Sequence, residues 1–262
     1  MIASHLCESY IRVVAKGRKR DIQQSLIYRD KNGQRRGVDK HYRPGRPVPK
    51  GQRPSERHKV RPKLRASEPL HITIRVVRSV GKLRKRHLYS AIRKAMVTTF
   101  HRTTFRIIHA SIQTNHIHLI VEADDKRALA RGMQGFQISA ARHINAAISK
   151  ERGTSRRGCV FADRYHATAM SSRRGVRNGL VYVLNNWRHH GQHRLRSPVP
   201  LPIDPFSTAT SFTGWTRTPT HEWPTTYEPL PTWEPRTWLL REGWKMYGLI
   251  DPDEVPGPKD DD

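Results

Sequence analysis

Apolar and polar positions repeat with a clear period only between residues 68 and 192. Leu70-His71-Ile72-Thr73-Ile74-Arg75-Val76-Val77 alternates with a period of two, which predicts a strand. Leu88, Tyr89, Ile92, Ala95, Met96 and Thr99 recur at helical spacing. Phe105 to Ile112 reads as a second strand, Ser111 to Asn115 as a tight turn, and His116 to Glu122 as a third strand. Leu129, Met133, Phe136, Ala140, Ile144 and Ile148 mark a long second helix, and Gly153 to Gly158 a basic loop. Tyr165 to Met170 suits a fourth strand and Val176 to His190 a third helix. The order β-α-β-β-α-β-α predicts an α+β fold: a ferredoxin-like antiparallel sheet with helices on one face, which leaves the other face to hold a site.

The flanks lack this periodicity, so three zones are expected. Residues 1–67 read as a basic, largely flexible N-terminal arm, with Lys16-Gly17-Arg18-Lys19-Arg20, Arg35-Arg36 and the Pro-, Gly- and cation-rich run Tyr42 to Gly51. Residues 68–192 form the periodic domain. Residues 193–262 read as a Pro- and Trp-rich C-terminal extension. Within it Pro235 to Tyr247 suits a short helix with Gly248 as its stop. Its tryptophans are expected to pack the strap onto the domain, with base stacking as the alternative. The Asp260-Asp261-Asp262 end is expected to fray.

Charge changes the picture. The 262 residues carry 49 Lys and Arg against 22 Asp and Glu, a formal +27. Such a field points to a polyanionic partner, most simply nucleic acid. Cys7 and Cys159 stand far apart with no Cys-x-x-Cys pair, which excludes a zinc ribbon and suits a reducing cytosol. The N-terminus shows no signal-type apolar run, and no stretch reaches the ~18 apolar residues of a membrane span.

Candidate chemistry centres on Asn115-His116-Ile117-His118-Leu119. On a strand, His116 and His118 point to one face roughly 6–7 Å apart along the backbone, while Ile117, Leu119 and Val121 face a core. Two such imidazoles can bind one divalent ion. In the third helix, Val176, Leu180, Val183, Leu184 and Trp187 form one stripe, and Asn178, Tyr182, Asn186 and His189 another roughly 150° away. Tyr182 and Asn186, one turn apart, could therefore reach an ion held by a nearby strand. A phenol attacks phosphorus only when a cation withdraws charge from the phosphate. Imidazole suits Zn²⁺ better than Mg²⁺ or Mn²⁺, so residue types alone leave the metal open. In Gly158 to His166, Arg164 could contact a phosphate, and Phe161 or Tyr165 could stack on a base or anchor the loop.

Three stretches together resemble the REP-associated tyrosine transposases, relatives of the single-tyrosine insertion-sequence transposases in the HUH nuclease superfamily. They are Gln113-Thr114-Asn115-His116-Ile117-His118-Leu119, Val160-Phe161-Ala162-Asp163-Arg164-Tyr165-His166, and Tyr182-Val183-Leu184-Asn185-Asn186-Trp187-Arg188-His189-His190-Gly191. In order and spacing the likeness covers about residues 70–192. It implies a ferredoxin-like catalytic core and Mg²⁺ or Mn²⁺, with His116, His118 and Asn186 as ligands and Tyr182 as nucleophile. It also implies cleavage and rejoining of single-stranded DNA next to a hairpin, through a 5′-phosphotyrosine and a free 3′-OH. The family's usual Asn-Pro after the nucleophile is here Asn186-Trp187, which keeps the ligand position. The Arg46-Pro47 region resembles the family's Gly-Arg-Pro basic motif. Arg43, Arg46, Arg156, Arg157 and Arg164 are thus candidate DNA contacts.

The expected partner is single-stranded or hairpin DNA, with no membrane and with a homodimer compatible, in a cytoplasmic, nucleoid-associated setting. The alternative is a catalytically retired transposase acting as a hairpin-DNA-binding or regulatory protein. A replication or mobilisation initiator would typically carry a larger domain, and an RNA-binding sheet would carry aromatics where His116 and His118 stand.

Overall fold

Alternation along the strands decides the architecture. In the computed structural model, which describes residues 27–29, 35–37, 64–192 and 201–257, one short hairpin pairs β1 (Ile27–Arg29) with β2 (Arg35–Gly37). Arg43, Arg46, most of the expected N-terminal arm and Asp260-Asp261-Asp262 lie outside the described residues.

The periodic region forms β3 (Leu70–Arg75), α1 (Arg86–Val97), β4 (Phe105–Ile112), β5 (His116–Ala123), α2 (Lys126–Arg152), β6 (His166–Ala169) and α3 (Arg173–His189). The four strands pair antiparallel in the order β4-β5-β3-β6. The first and third strands of the domain lie in the middle, which is the ferredoxin-like arrangement expected.

Leu70, Ile72 and Ile74 of β3 and Ile117, Leu119 and Val121 of β5 point to one face and are buried there. α1 covers them with Leu88, Ile92, Ala95 and Met96, and α2 with Leu129, Met133, Phe136, Ala140, Ile144 and Ile148. Asp125 caps α2 by accepting from the Ala128 N–H, and Gly153 ends it at φ 68°. Gly132 lets α2 approach the sheet, since a Cβ there would lie 2.1 Å from Cγ of Phe105.

The opposite face is not left bare. A bulge in β4 sends Ile108 to that side, where it joins Ile120 of β5. α3 packs Val176, Leu180, Val183 and Leu184 against these two residues. This second apolar layer is why β4 and β5 read as near-continuous apolar runs rather than clean alternations.

The C-terminal segment completes the layer. Trp215 and Trp244 are buried with Ile203, Leu240 and Ile250, so these tryptophans pack as expected. The segment also covers the open edge of β4: the Ile112 N–H donates to the Phe206 carbonyl, and the Trp233 N–H to that of Ile107. The expected helix after Pro235 is split into α4 (Trp238–Arg241) and a 3-10 turn over Gly243–Tyr247, ended by Gly248 at φ 84°.

Polar clamps hold the strap in place. Arg84 forks onto the buried Asp204 at 2.9 and 2.7 Å. Arg177 forks onto Glu254 at 2.7 and 2.9 Å. Arg188 pairs with Asp253 at 2.7 Å, and the Asn185 amide donates to the Asp251 and Glu254 carbonyls.

His109 of β4 faces this strap, 3.2 Å from Thr208 Oγ1 and edge-on to Phe212. Burial pushes its pKa down to about 4. The unfolded chain protonates near 6.5, so it takes up protons that the native state refuses. The stability present above that value is therefore lost as pH falls from about 6.5 towards about 4. Urea midpoints at pH 7.5 and pH 5 should show His109→Gln losing less stability on acidification than the parent, by up to about 2 kcal/mol. Equal losses would assign the acid sensitivity elsewhere.

Candidate active site

Register gathers histidines on the face opposite α1 and α2. Thr73 pairs with His118 on one side and His166 on the other, and Arg75 pairs with His116. With a period of two, His71 and Thr73 of β3, His116 and His118 of β5 and His166 of β6 share that face. His118 Nε2 lies 2.8 Å from His116 Nε2. Behind it, His118 Nδ1 lies 3.0 Å from His71 Nε2 and 3.2 Å from Thr73 Oγ1. His116 Nδ1 lies 2.7 Å from Asn115 Oδ1, an acceptor, so this nitrogen carries the proton and its Nε2 presents a lone pair.

α3 lays its second stripe over this cluster. The Tyr182 ring stands edge-on to His118 at 5.1 Å and to His71 at 5.4 Å between centroids. It stays 36 % exposed. Two turns on, the His190 ring lies 6.1 Å from that of His116. Asn186 falls midway between Tyr182 and His190 on the same stripe. It is fully buried, and neither its Oδ1 nor its Nδ2 has a hydrogen-bond partner.

Electrostatics keep the rings neutral near pH 7. Burial, then His166, lowers His71 to about 4. Burial, then His190, Arg75 and His71, lowers His116 to about 4. His118 is pushed lower still, by burial and then by His116, His71 and His190. Neutral imidazole is the form that binds metal.

These residues fit a divalent cation. Two lone pairs facing each other repel unless a proton or a cation lies between them. A buried carboxamide oxygen without a partner is costly unless it meets a donor or an ion. His116 Nε2, His118 Nε2 and Asn186 Oδ1 are the atoms that could hold one. Among the described residues no group of three His, Cys, Asp or Glu side chains is arranged to hold a metal, so the set depends on this amide.

The structure thus brings Tyr182, His116 and His118 together, with Asn186 one turn along α3 from Tyr182. It sets Arg156 apart. The Arg156 guanidinium bonds Asn145, Ser79 Oγ and the Cys159 carbonyl, which ties the loop to α2. Arg157 and Arg164 are exposed on the same loop segment. Phe161 and Tyr165 pack against the main core and anchor the loop. His189, expected on the stripe of Tyr182, and His190 are both exposed, and it is the His190 ring that lies near His116. Sequence reasoning passed over His71, Thr73 and His190. The i, i+4, i+8 spacing of Tyr182, Asn186 and His190 was the available signal for the last.

No curated protein matches the chain. A family model described as Transposase IS200 like matches residues 69–186. Among solved structures the chain is similar to one described as a REP-associated tyrosine transposase bound to a REP hairpin. That pair is 17 % identical with a TM-score of 0.41, over 58 % of this chain and 82 % of the other. A second, described as a candidate transposase from Deinococcus radiodurans R1, is 12 % identical with a TM-score of 0.34, over 54 % of this chain and 98 % of the other.

Proposed function

Because the chain belongs, over residues 69–186, to the IS200-like transposase family, we propose that it is a metal-dependent single-strand DNA endonuclease and transposase that cuts and rejoins DNA beside hairpins. The observation that carries this reading is the phenol of Tyr182 set against the His118 ring within a single chain, one turn from an unpartnered, buried Asn186.

His116, His118 and Asn186 would hold Mg²⁺ or Mn²⁺. The bound ion supplies charge withdrawal from the scissile phosphate. The Tyr182 oxygen forms a bond to phosphorus as the P–O3′ bond breaks. The phenol gives up its proton, and the departing 3′ oxygen takes one up from solvent. The products are a 5′-phosphotyrosine and a free 3′-OH, and attack by a 3′-OH on the phosphotyrosine reverses the step and rejoins DNA. Arg157 and Arg164 meet the phosphates, Arg156 shapes their loop, and Arg43 and Arg46 of the basic arm add charge. Such a protein works on the nucleoid.

The test is a 3′-labelled single-stranded hairpin oligonucleotide incubated with the protein and run on a denaturing gel. A labelled protein adduct is expected with Mn²⁺ or Mg²⁺, and EDTA should lower it by at least about 100-fold. Hairpin binding without any adduct would place the chain with catalytically retired, regulatory relatives instead.

A further inference from the structure

We infer that His71, together with Thr73, is a positioning residue that fixes the ring orientation and tautomer of His118 so that its Nε2 lone pair faces the cation. This rests on the reading of His116 and His118 as ligands.

A histidine binds a metal through one nitrogen, and the partner of the other nitrogen decides which one is free. His118 Nδ1 has two neighbours, His71 Nε2 at 3.0 Å and Thr73 Oγ1 at 3.2 Å. Both come from β3, where Thr73 stands directly across from His118. Each can accept a proton, so in the tautomer that binds a cation through Nε2, His118 carries hydrogen on Nδ1 and donates it backwards. Its Nε2 is then bare and points at His116 Nε2. Asn115 does the same for His116, from the turn that precedes it.

His71 does more than accept. Its ring stacks on His118 with centroids 5.1 Å apart and an interplanar angle of 28°, which blocks rotation of the ligand ring. Its edge also meets the Tyr182 ring at 5.4 Å. A single side chain on the central strand therefore sets the ligand from behind and braces the phenol from the side. Thr73 alone could not do both, because its hydroxyl carries no ring.

His71→Phe separates the two roles, since it keeps an aromatic face against His118 and Tyr182 but removes the acceptor. His71→Gln restores an amide oxygen near the position of Nε2. Two readouts in the full-length protein are independent of catalysis. One is Mn²⁺ affinity from the spin-resonance signal of free ion. The other is the tautomer of His118 from nitrogen-15 spectra of histidine-labelled, metal-free protein.

Expected is a 10–100-fold weaker Mn²⁺ affinity for His71→Phe, partial recovery in His71→Gln, and an unchanged urea midpoint. The spectra should show a single tautomer of His118 in the parent and a mixed population in His71→Phe. Unchanged Mn²⁺ affinity and an unchanged tautomer in His71→Phe would overturn the inference. Parent protein whose Mn²⁺ affinity is indifferent to His118→Ala would overturn the ligand reading instead, and the tautomer spectra would still report on His71.

Discussion

A Tyr182→Phe protein should bind hairpin DNA as tightly as the parent and form no covalent adduct, a loss on the order of 10⁴-fold or more in cleavage. The substitution removes one oxygen and little else. The ring contacts with His118 and His71 survive, because they are made by the edges and faces of the aromatic system. Tyr182 is 36 % exposed, so no buried partner is orphaned. The stability change should stay within about 0.5 kcal/mol, as for surface substitutions elsewhere. Gel shift, circular dichroism and the denaturing gel separate binding, folding and chemistry in one preparation. An adduct of undiminished yield would assign the nucleophile to another residue. Weaker binding by an intact fold would make Tyr182 a DNA contact rather than the attacking group.

The second large effect concerns Glu122. This residue is fully buried on β5, and its carboxylate accepts from Arg106 Nε at 3.1 Å, from the Arg236 N–H at 3.1 and 3.0 Å, and from the Thr237 N–H at 2.8 Å. It thereby ties the start of α4 to the centre of the sheet. Glu122→Ala would leave two backbone donors and a nearly buried guanidinium behind. Breaking one partner of such a pair costs about 3–5 kcal/mol, because the remaining charge is stranded. Arg106 retains Asp124 at 3.2 Å, which places the expected loss near the lower end, about 3 kcal/mol. The urea midpoint should fall accordingly, and a protease should cut between Leu230 and Arg241 in Glu122→Ala under conditions that spare the parent. A loss below about 1 kcal/mol would mean that the apolar contacts of Trp215 and Trp244 hold the strap by themselves.

Much of the candidate site was legible because its signals are local. Period-two alternation gave β3 and β5, and the expected bounds of β4 match Phe105–Ile112. The stripe of Tyr182 and Asn186 followed from helical spacing, and the burial of the His-x-His pair is consistent with it. What stayed hidden was non-local. His71 looked like one polar position of an amphipathic strand, since only the pairing of Thr73 with His118 reveals that it stands behind the His118 ring. The bulge that turns Ile108 outward, and so lets α3 cover a face expected to be open, leaves no mark in composition. Arg156 was legible only as one cation of a basic loop, because isolated charge carries no hint of partners. Its bonds to Asn145 and Ser79 come from elements 11 and 77 residues away. Glu122 read as an ordinary strand end for the same reason.

α3 carries Tyr182 and Asn186 on one side and is pinned on the other by Glu254, Asp253 and the carbonyls of residues 251 and 254. A helix fastened along its back in this way has no room to swing. On the proposed chemistry, a severed DNA end would stay moored where it was cut, and exchange of ends would require the incoming strand to travel to a stationary anchor.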